Sequence, residues 1–253
     1  MTRVLVTNDD GIDAPGLHAL ARNVRDAGYE VTIAAPAAQS SGSSASIMAE
    51  DADGRIAIER RVLDDLDGVP TFAVHGGPGL IALIVARGAF GDPADVVLSG
   101  VNHGANVGRA ILHSGTVGAA LTGGLNGARS MALSLDVGMR PTAFHWNPAA
   151  AAGIALLPSL LECPAGTVIN VNVPNAAVSR GVCEAELAPF GIVQTTLTEQ
   201  DEQHIRLAVE DLPNDPMPGT DAALLADGWV TVTALDPVSQ IPLGFSLPAA
   251  PRS

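Results

Sequence analysis

The sequence predicts an α/β fold with a doubly wound, mostly parallel sheet. Apolar residues make up 47% of the 253 residues, enough for a large core. Residues 1–36 have the pattern of strand, helix and strand, and further buried strands alternate with helical segments to about residue 175. We therefore expect one domain over 1–253, with a core at 1–175 and a β-rich C-terminal extension at 176–253.

The N-terminal segment gives the clearest pattern. "RVLVT" at 3–7 and "EVTIAAP" at 30–36 are short runs rich in β-branched and apolar residues, which indicates two strands. Between them, apolar residues recur at helical spacing over 17–27, and Pro15 stands in a first-turn position. Two parallel strands joined by one helix need a right-handed crossover, so a β-α-β unit is predicted here.

The alternation continues along the middle of the chain. Strands are predicted at 94–102, 130–137 and 166–174. Helices are predicted after "SGT" at 114–116 and over 147–161. Two extended pieces between 55 and 74 are interpreted as a β excursion, and beyond 175 the pattern is strand-like or irregular, with a late strand at 228–235.

Charge and composition exclude some classes of partner. The chain has 27 acidic and 13 basic residues, a formal charge of −14, which repels nucleic acids and anionic membranes. We expect neither a nucleic acid polymer nor a membrane as partner. The N-terminus has no signal-peptide pattern, so a cytoplasmic location is expected. Cys163 and Cys183 lack metal-binding spacing and are predicted to be buried without a chemical role.

The stretch "VTNDDGIDAPG" at 6–16 places Asp9 and Asp10 directly after the first predicted strand. Adjacent carboxylates repel each other, although a simple turn also accounts for aspartate beside glycine. A divalent cation between the two would convert repulsion into ligation, and an all-oxygen ligand set favours Mg²⁺ or Mn²⁺ over Zn²⁺. The pair therefore indicates a metal site, with a plain turn as the alternative.

Two later segments are expected at the same edge of the sheet. The serine-rich run at 37–46, which contains Ser41, leaves the second strand, although its composition is also typical of a flexible linker. Asn102 and Asn106 follow the third strand. Because the carboxyl ends of parallel strands meet where α/β proteins bind ligands, these oxygen-bearing side chains are predicted to lie near the aspartates.

The glycine-rich motifs "NHGANVG" at 102–108 and "HSGT" at 113–116 indicate a phosphate site. They offer amides, hydroxyls and backbone N–H groups at the start of a predicted helix. A mobile glycine loop is the alternative, since no Walker motif is present. A cation beside the phosphate would offset the acidic charge and activate a water. His103 and His113 are the candidate general acids.

Taken together, these motifs resemble the SurE family of metal-dependent nucleotidases, the survival protein E family. The similar segments are "VLVTNDDGIDAPGLHAL", "AAPAAQSSGSSASI", "DVVLSGVNHGANVG" and "HSGTVGAA". Later, "VINVNVP" and "TDAALLADGWVTVTAL" resemble the family's last sheet strand and C-terminal segment, so the resemblance reaches from residue 3 to about 235. The resemblance implies a Rossmann-like fold and hydrolysis of nucleoside 5′- and 3′-monophosphates, in some members also of short polyphosphate. It further implies a homodimer or homotetramer in which a C-terminal arm is exchanged.

The resemblance also implies roles for individual residues. The family's ligands for one divalent cation per subunit, Mg²⁺ or Mn²⁺ with Ca²⁺ able to replace it in crystals, correspond to Asp9, Asp10, Ser41 and Asn102. Its phosphate-binding positions correspond to Asn8, Asn106, Ser114, Gly115 and Thr116. Direct participation in catalysis is expected of Asp9, Asn106 and Ser114.

Some positions depart from the family pattern. His113 stands in place of the usual Tyr, Gly77 in place of Thr, Leu80 in place of an acid and Thr122 in place of Glu. The predicted ligands are unchanged, so hydrolysis is expected to persist while base preference shifts.

Three alternatives stay open at this stage. One is a nucleotide sensor that binds without turnover, and another is an acidic oligomeric scaffold. The third is a phosphorylated Asp9 intermediate, although the D-x-D spacing typical of that chemistry is absent.

Overall fold

The computed structural model describes residues 1–40, 42–47, 55–138, 141–189, 193–200, 205–211 and 217–244. The strands are β1 (Arg3–Thr7), β2 (Glu30–Pro36), β3 (Ile58–Arg60), β4 (Thr71–Val74), β5 (Val96–His103), β6 (Arg129–Asp136), β7 (Val168–Pro174), β8 (Val182–Glu184), β9 (Val193–Gln200), β10 (Ile205–Asp211) and β11 (Val230–Leu235). The helices are α1 (Pro15–Asp26), α2 (Pro78–Ala86), α3 (Gly115–Leu125), α4 (Trp146–Glu162) and α5 (Asp221–Ala226), with a 3₁₀ helix at Gly108–His113.

In the described part of the chain, nine strands form one sheet in the order β3-β4-β2-β1-β5-β6-β7-β11-β8. The run from β4 to β7 is parallel, whereas β3 and β11 pair antiparallel with β4 and β7. The predicted doubly wound, mostly parallel sheet is confirmed. Strands β2 and β4 lie on one side of β1 in the sheet, whereas β5, β6 and β7 lie on its other side. The strand order therefore reverses between β1 and β5, which makes this position the topological switch point.

Both faces of the sheet are covered by helices, as a parallel sheet requires. Successive side chains of a strand point to opposite faces, and β1 follows this rule. Val4 and Val6 belong to a core cluster with residues of α1 and α4, whereas Leu5 packs in a second cluster with residues of α2. The central strands are therefore fixed from both sides, and their carboxyl ends form a rigid edge.

The predicted N-terminal unit is confirmed, because β1, α1 and β2 occupy the expected positions. The two extended pieces predicted between 55 and 74 are confirmed as β3 and β4. Their interpretation as a β excursion was wrong, since β4 pairs parallel with β2 inside the main sheet. Helix α2 was missed. Most of its residues are buried, so its sequence "PGLIALIVA" is apolar on nearly every side and lacks amphipathic periodicity.

Part of the predicted C-terminal extension continues the main sheet. Strand β11 pairs with β7, and β8 pairs with β11. Strands β9 and β10 form a separate antiparallel pair. Exchange of a C-terminal arm between subunits stays a prediction.

Two smaller expectations concern single features. Among the described residues, no helix has the length and apolar character that crossing a bilayer requires. Cys163 and Cys183 are half-buried and form no disulfide, so the prediction that they are buried was wrong. Cys163 follows the last residue of α4, and Cys183 lies on β8 at the edge of the sheet, where packing is incomplete.

Gly16 allows α1 to pack closely against β5. A Cβ at this position would lie 2.0 Å from the carbonyl oxygen of Val101. Gly16→Ala is expected to lower the free energy of unfolding by about 2–3 kcal/mol, because the backbones of α1 and β5 must move apart to make room for the methyl group. At Gly28 a Cβ would face open space, and the only penalty is a positive φ of 85°. Gly28→Ala should therefore lower the free energy of unfolding by about 1 kcal/mol. Urea denaturation compares the two variants, and equal losses would contradict the steric explanation.

Candidate active site

The turn after β1 is shaped by the side chain of Asn8. Asn8 is fully buried, its Nδ2 donates to the carbonyl oxygen of Gly11 at 2.9 Å, and the Gly11 N–H donates back to Oδ1 at 3.2 Å. Gly11 has a φ of 104°, which favours glycine. The Asn8 amide thus fixes the loop that presents Asp9 and Asp10. Direct contact between Asn8 and phosphate stays a prediction.

Asp9 is a buried carboxylate, only 5% exposed, and the Thr116 hydroxyl donates a hydrogen bond to its Oδ1. Burial raises the pKa of Asp9 above its ordinary value; the Thr116 hydrogen bond opposes that shift, and the negative charge of Asp10 adds to it. Thr116 is itself fully buried, so its hydroxyl holds Asp9 in place. The negative charge of Asp9 is therefore only partly compensated by the protein.

Asp10 joins the end of β1 to the end of β5. It is half-buried, and its Oδ2 accepts a hydrogen bond from the backbone N–H of His103 at 3.0 Å. Its Oδ1 accepts no hydrogen bond from any residue in the described ranges. One carboxylate oxygen of Asp10 is thus anchored, and the other is available to an external positive charge.

The start of α3 lies against Asp9. Ser114 caps this helix, because its Oγ accepts a hydrogen bond from the N–H of Val117 at 3.1 Å. A Cβ on Gly115 would lie 2.8 Å from Asp9 Oδ2 and 2.7 Å from Ser43 Oγ, so only glycine fits. The Ser43 Oγ is buried and has no hydrogen-bond partner within the described part of the chain. A helix N-terminus, a carboxylate and an unpaired hydroxyl therefore meet at one point.

Ser43 was not among the residues predicted from the sequence. The predicted ligand in the same loop is Ser41, which lies outside the described residues. The backbone N–H of Ser40 donates to the carbonyl oxygen of Asp9 at 2.7 Å, which holds the serine loop at the end of β1 as expected. The only sequence signal for Ser43 is its membership of the serine run, where several hydroxyls are equivalent without the fold.

Asn102 is the penultimate residue of β5 and is half-buried at the carboxyl end of the strand, beside the switch point. Its Nδ2 donates to the carbonyl oxygen of Gly104 at 2.8 Å, and its Oδ1 accepts no hydrogen bond from the residues that the structure describes. The neighbouring His103 is bonded to Asp10, so the predicted ligands Asp10 and Asn102 stand on adjoining strand ends. An amide oxygen is a suitable ligand for a hard cation.

Asn106 is held by residues of β6 and β7. Its backbone N–H donates to Asn172 Oδ1, its carbonyl oxygen accepts from the amides of Asn170 and Asn172, and its own Nδ2 donates to Ser134 Oγ, all at 2.8 Å. The second hydrogen of Nδ2 is left for a ligand. Neither strand asparagine was predicted from the sequence, although two asparagines alternating with valine in "INVNVP" are an unusual pattern for a buried strand.

Asp221 anchors the loop that leads to Ser114. Its carboxylate is fully buried and accepts hydrogen bonds from the backbone N–H groups of Gly108 at 2.8 Å, Ala188 at 2.9 Å and Ala222 at 2.8 Å. Gly108 begins the 3₁₀ helix that ends directly before Ser114. The sequence signal for Asp221 is the Thr-Asp pair before a short apolar run, which is typical of a helix N-terminus.

The positions that depart from the family pattern have different surroundings. Leu80 is buried in α2, and Thr122 is buried in α3, where its hydroxyl donates to the carbonyl oxygen of Gly118. Neither lines the cavity beside Asp10. Gly77 faces the serine loop with ordinary space around it, and His113 is exposed. General-acid roles for His103 and His113 stay predictions.

No group of three or more His, Cys, Asp or Glu side chains suited to a metal occurs in the described ranges. The expected ligand set instead combines two carboxylates with neutral hydroxyl and amide oxygens, and it stays a prediction. Such a set has little thiolate or imidazole character and suits hard cations.

Comparisons with known proteins point to one family. The model of the family "Survival protein SurE" matches residues 4–204. The chain is 36% identical to the 5′-nucleotidase SurE of Rhizorhabdus wittichii over 247 residues, 92% of each sequence. It is 39% identical to the 5′-nucleotidase SurE of Xanthomonas euvesicatoria over 179 residues, 70% of this chain and 65% of that relative. The chain thus spans slightly less than two thirds of this relative's length.

The fold is also similar to a solved structure. The crystal structure of the SurE protein from Aquifex aeolicus superposes with a TM-score of 0.78 at 25% identity, and the match covers 94% of each chain. Similarity of this extent includes the residues beyond 175. The sheet and its C-terminal strands therefore belong to one shared architecture.

Asp221→Asn tests the anchor of the loop before Ser114. The amide nitrogen of Asn would face a backbone N–H donor, so at least one buried hydrogen bond is lost, and the free energy of unfolding should fall by about 2–3 kcal/mol. Asp227→Asn is the matched control, because its exposed carboxylate follows the same helix, and it should change stability by less than about 0.5 kcal/mol. Urea denaturation of both variants is the measurement. Equal stabilities would show that Asp221 is not an anchor.

Proposed function

This chain belongs to the SurE family, and on that premise we propose that it is a metal-dependent phosphomonoesterase that hydrolyses nucleoside 5′-monophosphates to nucleoside and orthophosphate. One observation carries the proposal, namely the Asp9–Asp10 pair at the switch point, packed against the N-terminus of α3 where Gly115 leaves room. Activity on 3′-monophosphates and on short polyphosphate is included in the proposal. Homodimeric or homotetrameric assembly is also proposed.

The residues at this corner suit a hard divalent cation, Mg²⁺ or Mn²⁺. The carboxylates of Asp9 and Asp10 and the amide oxygen of Asn102 would hold it, with Ser41 as the fourth proposed ligand. Two features support the fit. Burial disfavours the charge of Asp9, so a cation would relieve an existing cost, and the buried Ser43 Oγ has no partner in the described residues.

The reaction would be an in-line displacement at phosphorus. The bound cation would polarise the phosphoryl oxygens and lower the pKa of a water. The first turn of α3 offers backbone N–H groups to the phosphate, and the second Nδ2 hydrogen of Asn106 can donate to another oxygen. The water oxygen would form a bond to phosphorus as the bond to the ribose oxygen breaks. One proton of that water would stay on the orthophosphate, and the other would reach the ribose oxygen through a histidine or a solvent water.

Water attack is favoured over a phosphorylated Asp9. The carboxylate of Asp9 is buried, bonded to Thr116 and shielded by Gly115, so its oxygens have little freedom to approach phosphorus. The alternative of a sensor without turnover depends on the changes at His113, Thr122 and Gly77. Thr122 is buried in α3 and does not line the cavity, whereas Gly77 faces the serine loop, so release of orthophosphate decides between the sensor and the enzyme. Ser114 then acts by capping α3 and orienting its N–H groups.

Asp9→Asn and Asp10→Asn are each expected to lower kcat/KM for nucleoside 5′-monophosphates by about 10³-fold or more, because loss of a ligating charge removes several kcal/mol of transition-state stabilisation. Release of orthophosphate with Mg²⁺, Mn²⁺ or EDTA is the measurement. Asp26→Asn is the control, since this residue at the far end of α1 is exposed and, within the part of the chain that the structure describes, forms an ion pair only with Arg25. A variant of Asp9 that keeps full Mg²⁺-supported turnover would contradict the proposal.

Cation binding can be measured without turnover. Saturating Mn²⁺, at about 100 times its Kd, should stabilise the EDTA-treated protein by about 2.7 kcal/mol. Asp9→Asn should lose this stabilisation. Without metal this variant should be at least as stable as the wild type, because burial disfavours the charge that it removes. Thermal unfolding with and without Mn²⁺ tests both statements, and a variant that is equally stabilised by Mn²⁺ would place the cation elsewhere.

A further inference from the structure

A group of aromatic rings stands beside Asp10, and its members are Phe144, Trp146 and His103. Phe144 and Trp146 are stacked, with ring centroids 5.4 Å apart and planes 18° apart. The His103 ring lies 5.3 Å from Phe144 and 6.1 Å from Trp146. We call these three residues the aromatic wall. Geometry of this kind is stabilising, but it does not by itself explain why the rings are placed at the surface.

Aromatic residues are scarce in this protein, which makes their position informative. The chain has five Phe, two Trp and one Tyr, 3% of its residues. Phe144 nevertheless leaves 45% of its surface exposed just before α4, and Trp146 is only half-buried. Elsewhere in the described ranges, Phe72 stacks on Phe90 within a core cluster. Exposed apolar surface next to a cavity is typical of a ligand contact.

The aromatic wall and Asp10 line the same cavity. Its volume is about 540 Å³, within the usual range for small-molecule sites. The remaining lining comes from the loop at 11–16 and residues 37–39, which follow β1 and β2. His103 connects the two ends of the cavity, because its backbone N–H bonds to Asp10 while its ring belongs to the wall. A ligand can therefore reach the acidic corner and the rings at once.

We propose that the aromatic wall binds the base of the nucleotide substrate by stacking. This inference rests on the proposed function and adds the means by which that site distinguishes nucleotides from other phosphate esters. Stacking on an aromatic face accepts every base, and purines gain more than pyrimidines because they cover more of the ring surface.

Charge gives a further reason for such a wall. The formal charge of −14 disfavours a phosphate ester at long range, and a bound cation compensates only near the phosphoryl group. Stacking supplies affinity that does not depend on the substrate's charge. The wall therefore favours nucleoside monophosphates over base-free sugar phosphates and over inorganic polyphosphate.

The central experiment compares adenosine 5′-monophosphate with ribose 5-phosphate, which lacks a base. Phe144→Leu should raise KM for adenosine 5′-monophosphate about tenfold, in line with the loss of one base–aromatic stack, and leave kcat within about twofold. KM for ribose 5-phosphate should not change. Phe144→Tyr retains a ring and should restore the wild-type KM. An equal change for both esters, or no change for either, overturns the inference.

Binding of adenosine, which has no phosphate, separates this inference from the proposed function. In a Trp229→Phe background, Trp146 is the remaining tryptophan, so adenosine should quench its fluorescence, and adding Phe144→Leu should weaken that binding about tenfold. If the wild type releases phosphate from both esters with equal KM, the inference fails and the proposed function stands. If neither ester is hydrolysed with Mg²⁺ or Mn²⁺ but adenosine still quenches, the proposed function fails and the wall stands.

Trp146→Leu provides a second variant with the same expected kinetics. Trp146 begins α4, so its thermal midpoint must be compared with that of the wild type before kinetics are read. Phe144 is exposed, and its replacement leaves the core unchanged, so the Phe144 variants decide the question if Trp146→Leu does not fold.

Discussion

The structure of the site depends on one constraint, which is that Asp9 and Asp10 must be held together as neighbouring carboxylates, one of them buried. Their mutual repulsion would open the loop after β1 if nothing opposed it. Three contacts oppose this repulsion. They are the hydrogen bonds between the Asn8 side chain and the Gly11 backbone, the Thr116 hydroxyl on Asp9, and the backbone N–H of His103 on Asp10. They come from three different elements, so the acidic pair exists only when β1, β5 and α3 are already packed together. Residual charge at Asp9 then leaves a place for a cation.

The elements around this corner are fixed in turn by the C-terminal half of the chain. Asn170 and Asn172 on β7 clamp the loop at Asn106, and Asp221 at the start of α5 clamps Gly108. These are buried polar groups whose partners are backbone atoms, and leaving one unpaired costs more than the bond itself contributes. The region beyond 175 is therefore not merely an appendage, because through Asp221 it positions the loop before Ser114 that we propose binds phosphate.

The sequence was most informative where the pattern is local. Strands β1 and β2 and helix α1 could be predicted because alternation, helical periodicity and a first-turn proline depend on neighbouring residues. Helix α2 could not, because a segment buried on most sides has no polar face to reveal its period. Ser43 could not be distinguished from the other serines of its loop for a different reason. Its position against Gly115 is a tertiary contact, which the local sequence does not show.

The sequence by itself determined the fold class, the family, the acidic pair and the serine-rich and glycine-rich loops near it, because short motifs in a defined order identify each of them. Only the tertiary structure decided which of these residues support the acidic pair and which face the cavity. In the folded protein, Asn8 and Thr116 support the two carboxylates, Asp221 holds the loop before Ser114, and Phe144 and Trp146 line the same cavity as Asp10. The physical reason is that hydrogen-bond partners and cavity walls come from residues far apart in the chain, and burial, which sets the energy of each contact, appears only when the sheet and helices are assembled.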